Sequence, residues 1–198
     1  MLDVRKLIGS VALGVAVLGA GGWAQPEEPA TIPAPEAAEP GTFETLDDGS
    51  LLIEGRIKVL GKGTKEKPFV VDWAVLTSAM RMYDPRADKN ELPAWTEALE
   101  GKRVRLTGYL LLPMTGTGAE ELLIMQNQWD GCCIGVPPTP YDAVEVRMAK
   151  ELDTTRGAPG YGALEGTFKT DPYIVSGWLL GLYMLEDAGL VKASDGGT

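Results

Sequence analysis

The segment Arg103–Leu112 (RVRLTGYLLL) constrains the fold more than any other part of the chain. Val104, Leu106, Leu110 and Leu112 share one face, and Arg103, Arg105, Thr107 and Tyr109 share the other. That period of two is a half-buried strand. Gly108 sits in its middle, where a strongly curved strand needs a residue without a side chain. Leu164–Phe168 (LEGTF) repeats the arrangement with Gly166 at its centre. Leu122–Gln126, Val144–Met148 and Leu179–Leu185 supply three more strands. Five short strands, two broken by glycine, predict a mainly β (α+β) domain built on a small antiparallel OB-like barrel. An open sandwich of the same strands is the rival arrangement.

Upstream, Leu51–Val59 reads as a strand with a bend or bulge at Gly55, and Phe69–Val71 as a short strand. Asp72 is placed to cap a helix running to Tyr83, with Leu76, Ala79, Met80 and Tyr83 on one face. Asp84-Pro85 ends it. Pro93 opens a second short helix and Gly101 closes it. These two accessory helices are expected to pack on the barrel or plug one end. Asp47-Asp48-Gly49 is hairpin chemistry, and Glu120-Glu121 reads as a solvated turn. Gly61–Lys65 (GKGTK) lacks the spacing of a phosphate-binding loop and reads as a surface turn. Met80, Met125, Met148 and Met184 fall in apolar elements and are expected in the core. So are Trp73, Trp95, Trp129 and Trp178.

The amino terminus has a different character. Arg5 and Lys6 precede an uncharged run from Leu7 to Ala20, and Gly22 and Ala24 suit signal peptidase. Residues 1–24 are read as a cleaved leader; an uncleaved anchor is the alternative, although the run is short for a span. Residues 25–42 form an acidic linker rich in Pro and Ala, which lacks the apolar content to offset its ordering entropy. The folded domain is placed at 43–192 and a flexible tail at 193–198. The expected location is periplasmic or secreted, with membrane contact only through the N-terminal segment if it is retained.

The chain contains no histidine. That excludes Ser-His-Asp and Cys-His catalysis and histidine metal ligands within one subunit. With 28 acidic and 18 basic side chains the net charge is −10; loss of Asp3, Arg5 and Lys6 with the leader makes it −11. No nucleic-acid partner is expected of such a chain. Arg103, Arg105 and Tyr109 on one strand face mimic an oligonucleotide-binding surface, but three residues do not form an electrostatic funnel. No pair of carboxylates is singled out by spacing, so the domain reads as non-enzymatic.

The most unusual stretch is Trp129–Pro140 (WDGCCIGVPPTP), where glycines and prolines flank two adjacent thiols. Adjacent α-carbons stand about 3.8 Å apart, below the usual disulfide range of about 4.4–6.8 Å. Cys132 and Cys133 are thus buried packing residues, a strained redox pair, a link to another chain, or ligands of a soft metal. Zinc would need Asp130 or further donors. Copper(I) would need fewer, and Met114 or Met125 offers a thioether. A redox role lacks the Cys-x-x-Cys spacing. Trp129, Arg103, Arg105 and Tyr109 are the candidate ligand or partner surface, and an envelope protein is the candidate partner.

Several of these residues together resemble an uncharacterised family of exported bacterial proteins. The likeness lies in Trp73-x-x-Leu76, in Leu99–Tyr109 with its GK-x-V-x-ϕ-x-G-aromatic strand, in the Cys132–Pro138 turn, in Leu164–Phe168 and in Tyr183. It spans residues 46–190. The resemblance implies export and a compact β-rich domain, and associates the chain with envelope transport or metal handling. Many family members carry a histidine two residues after the cysteine and a run of prolines ending in asparagine; here those places hold Ile134 or Gly135, and Thr139-Pro140-Tyr141. A Cys/His metal site is therefore not implied for this chain.

Overall fold

The structure is a computed structural model, and it describes residues 39–112, 118–130, 132–133, 135–155 and 160–191. The segments expected to be leader (1–24), linker up to residue 38 and tail (193–198), together with Met114, lie outside these residues.

Strands β1 (Phe43–Thr45), β2 (Leu51–Ile53) and β3 (Ile57–Val59) form an antiparallel meander. The first connection is the Asp47-Asp48-Gly49 turn, where Asp48 Oδ1 accepts the Ser50 N–H at 2.9 Å. The second divides what the sequence reads as one strand. Glu54 and Gly55 both have positive φ, 51° and 63°, the left-handed pair of a tight hairpin turn that sets Ile53 opposite Ile57. Next come β4 (Phe69–Val70), helix α1 (Trp73–Ser78), the β5 (Tyr83–Asp84) and β6 (Lys89–Asn90) hairpin, and helix α2 (Trp95–Leu99).

Asp72 caps α1 as its sequence position predicts, accepting the Ala74 N–H at 2.7 Å. The helix is shorter than expected, because Ala79–Arg81 tightens into a 3-10 turn. Tightening from 3.6 towards 3.0 residues per turn rotates later side chains off the original stripe. Leu76, Ala79 and Tyr83 stay buried, whereas Met80 swings out to 55% exposure, contrary to its expected core position. α2 ends at Gly101, whose φ of +70° is the left-handed closure anticipated there.

The remaining strands are β7 (Arg103–Leu111), β8 (Gly118–Met125), β9 (Ala143–Asp153), β10 (Tyr161–Val175) and β11 (Trp178–Val191). They hydrogen-bond in the order β7-β8-β9-β11-β10 and close through β10 onto β7. Counted within the barrel, that is the ring 1-2-3-5-4-1, the OB arrangement. One pair departs from the antiparallel expectation: β11 runs parallel to β9, with Leu185 opposite Val146. Glu120 and Glu121 belong to β8 rather than a turn. A register shift between Ala119 and Glu121 leaves both carboxylates on the outside.

The bend at Gly108 has a physical cause. Near its start β7 pairs with β4, and near its end with β8, along the same edge. At the changeover a Cβ on residue 108 would run into the Met125 carbonyl oxygen and stand 3.0 Å from the Trp73 ring. Trp73 fills the gap, donating its indole N–H to the Thr107 carbonyl at 2.8 Å. Inside the ring, Val104, Leu106, Ile124, Val144, Val146, Leu164, Phe168, Leu182 and Leu185 make the core. The α1–α2 layer covers it through Trp95, Leu76 and Tyr183, and the Tyr183 hydroxyl donates to the Leu76 carbonyl at 2.8 Å. Burial pushes that hydroxyl well above the ordinary tyrosine value.

Candidate functional site: a sulfur loop and an apolar hairpin

Between β8 and β9 the chain forms a small closed loop. Trp129 and Gly135 face each other in an isolated antiparallel bridge, and Val136 N–H donates to the Gln128 carbonyl at 3.1 Å. Gly135 has φ of +96°, and a side chain there would strike the Gln128 carbonyl oxygen. Glycine is therefore required for the loop to close. At its tip Asp130 Oδ1 accepts the backbone N–H groups of Cys132 at 2.9 Å and Cys133 at 2.8 Å. The carboxylate pins the backbone beneath both thiols.

Cys132 and Cys133 are free and exposed. That places them outside the core, against the reading of buried packing residues. A side-chain hydrogen bond joins Cys132 and Cys133. This bond, with a smaller contribution from burial, holds the Cys133 thiol above its ordinary value. Gln126–Pro140 contains no Lys or Arg that would favour the thiolate.

The other proposed ligands do not gather around the pair. Met125 is 1% exposed within the core. Among the described residues, no three Cys, Asp or Glu side chains are arranged to hold a metal ion. Trp129 is half-buried in the bridge. Arg103 and Arg105 are turned onto the barrel itself. Arg105 pairs with Glu165 at 2.6 Å across β7 and β10, and Arg103 donates to the carbonyls of Asp187 at 3.0 Å and Glu165 at 3.2 Å. Tyr109 packs edge-on against Tyr161, with ring centres 4.9 Å apart.

A second feature escaped the sequence reading. β10 and β11 continue past the barrel as a hairpin turned at Ser176 and Gly177, both with positive φ. β7 pairs with β10 only from Tyr161 to Thr167, and β9 with β11 only from Met184 to Ala188. Tyr173, Val175, Trp178 and Leu180 are 56%, 41%, 54% and 56% exposed, and Ile174 is 43%. Trp178, expected in the core, instead lies at the hairpin tip beneath the Arg86 guanidinium, 3.6 Å from the ring centre. Tyr173–Leu180 (YIVSGWLL) contains no charged residue. An S-G dipeptide inside an apolar run is the signal that could have located it. An open groove of about 460 Å³ also lies on the outer faces of β7, β8 and β9, where Leu111 and Leu123 meet Glu121, Glu145 and Arg147.

Among the described residues no helix is long and apolar enough to cross a membrane. No protein-family model matches the chain, and no curated protein matches it. Among solved structures it is similar to a DUF3299 family protein from Pseudomonas aeruginosa PAO1. That likeness has 24% identity and a TM-score of 0.37, over 59% of this chain and 80% of the other. A superposition this loose carries neither fold nor function, and the OB assignment rests on the strand register above.

Proposed function

We propose that this chain is an exported, non-enzymatic binding domain whose partner is an envelope protein docking on the β10–β11 hairpin. The observation that carries the reading is the hairpin's uncharged, exposed tip, with Tyr173, Val175, Trp178 and Leu180 projecting beyond the barrel. Contiguous apolar surface of this kind marks interaction sites, and aromatic anchors dominate the energetics of such contacts. The leader-like N-terminus supports export. A photo-crosslinking side chain at Val175 is expected to give one discrete adduct in envelope fractions. The Trp178→Ser, Leu180→Ser double variant is expected to lose that adduct while staying within about 1 kcal/mol of parental stability, since both side chains are exposed. Absence of an adduct from the parent, or its survival in the variant, overturns the reading.

A second reading rests on the exposed thiol pair. Cys132 and Cys133 are accessible to a soft ion, copper(I) or zinc, with any further donors coming from water or a partner. Stoichiometric uptake is expected, and the Cys132→Ser, Cys133→Ser double variant is expected to abolish it. Equal uptake by parent and variant, measured by elemental analysis of desalted protein, excludes the pair as the site.

A further inference from the structure

The apolar hairpin is bracketed by two opposite charges. Val175 pairs with Trp178 and Tyr173 with Gly181, and residues directly opposite each other share a face of an antiparallel ladder. Tyr173, Val175 and Trp178 therefore stand on one face with Gly181. Leu180, the extra residue at the register shift between Leu179 and Gly181, is exposed beside them. At the tip end of this face the Arg86 guanidinium lies over the Trp178 ring. At the barrel end Glu145 reaches the same face. Its Oε1 is 3.0 Å from where a Cβ on Gly181 would stand, and the Tyr173 Cβ is 3.9 Å from that point. Among the described residues neither Arg86 nor Glu145 belongs to an ion pair. Trp178 and Gly181 are three positions apart, roughly 10 Å along a strand. An uncharged strip thus runs between one unpaired cation and one unpaired anion.

We propose that this face docks on the same face of a second copy of the chain, the two hairpins lying antiparallel about a two-fold axis. The proposal rests on the hairpin as the docking surface and names its partner, which under the export reading is itself an envelope protein. Reversing one hairpin against the other brings Arg86 to the partner's Glu145 and Glu145 to the partner's Arg86. One patch supplies both halves of both ion pairs, the condition for an isologous contact. The gap left by Gly181 between Tyr173 and Glu145 receives apolar side chains from the opposite tip. Two chains of net charge −10 repel each other over most of their surface, and Tyr173–Leu180 carries no charge. Approach through that stretch meets the least repulsion, and the two Arg–Glu pairs fix the orientation.

The test uses the purified full chain, kept reduced with a phosphine so that the exposed thiols cannot link copies. Sedimentation equilibrium is expected to show a reversible dimer. Arg86→Glu and Glu145→Arg each place like charges together at both ends of the contact, and each is expected to weaken the dimer about tenfold or more. An equimolar mixture of the two variants restores two opposite-charge pairs in the mixed dimer, and is expected to associate as tightly as the parent. Circular dichroism matching the parent confirms that each variant is folded. A photo-crosslinking side chain at Val175 is expected to give an adduct of twice the chain mass in the purified protein. A monomeric parent, a dimer indifferent to both variants, or a mixture no tighter than the single variants overturns the proposal. An adduct with a different protein in envelope fractions, with none from the purified chain, overturns it and leaves the hairpin reading standing. No adduct in either preparation overturns both.

Discussion

Trp95→Ala is expected to destabilise the domain by about 3–5 kcal/mol, the range for removing a fully buried large aromatic side chain. The side chain is 0% exposed and joins parts of the chain that are distant in sequence. Its indole N–H donates to Ser78 Oγ at 3.1 Å. Its backbone N–H donates to the Gly41 carbonyl at 3.1 Å. Its ring lies 6.2 Å from that of Tyr183 on β11. Truncation opens a cavity between α1, α2 and the barrel, and leaves Ser78 without that donor. Trp95→Phe keeps most of the buried area and is expected to recover more than half of the loss. Against a total stability of about 5–15 kcal/mol, the alanine variant should shift the urea midpoint sharply at an unchanged slope. A loss below about 1 kcal/mol would mean that the helical layer is not part of the core.

Glu54→Gln is expected to lower stability by about 1–3 kcal/mol at neutral pH and to flatten part of the acid limb. The carboxylate is 4% exposed, although it occupies a hairpin turn. Burial works to raise its pKa. The Gly41 N–H at 2.9 Å and the Arg81 and Arg56 guanidinium groups outweigh that and hold it below the ordinary value of 4.5. A depressed carboxyl stabilises the fold fully above its unfolded value. The contribution disappears as pH falls through the folded one. The parent should therefore lose more stability than the variant between about pH 5 and the folded pKa. The arginines are 43% and 62% exposed, so water screens their share and the Gly41 bond accounts for much of the effect. Asp48, held low by Ser50 and Lys58, titrates in both proteins and cancels in the comparison. Parallel urea curves at neutral and acid pH, with no difference between parent and variant, would remove Glu54 from the account.

The barrel was readable because its determinants are local. Alternation along Arg103–Leu112 and the glycines at 108 and 166 specify strands that bend, and bent short strands close. The parallel partner of β9 was not readable, since nothing within β11 encodes which strand it will meet. Gly55 was read as a bend or bulge within one strand because the hairpin signal normally has Asn or Asp before the glycine. Glutamate is tolerated in that left-handed position here, where its carboxylate is turned inward to the Gly41 N–H and to Arg81. The rigidity of the Cys132–Cys133 loop was foreseen from its glycines and prolines. Its exposure was not, because cysteine is ordinarily among the most buried residue types. Trp178 misled for the same reason: aromatic content predicts burial on average, but not at a strand end that outruns its neighbours.

The ring's connectivity also governs how fast the domain can form. β7 finds one neighbour, β8, a few residues on, but its other neighbour, β10, begins at Tyr161. β9 likewise waits for β11. Until both distant strands arrive, the β7–β8–β9 meander has two unsatisfied edges and an uncovered row of leucines and valines. Chain-closure entropy must be overcome before the distant contacts repay it, so refolding belongs to the slow regime of non-local β topologies, milliseconds to seconds. During that interval the open meander is the species most prone to self-association, and a holding chaperone would recognise it.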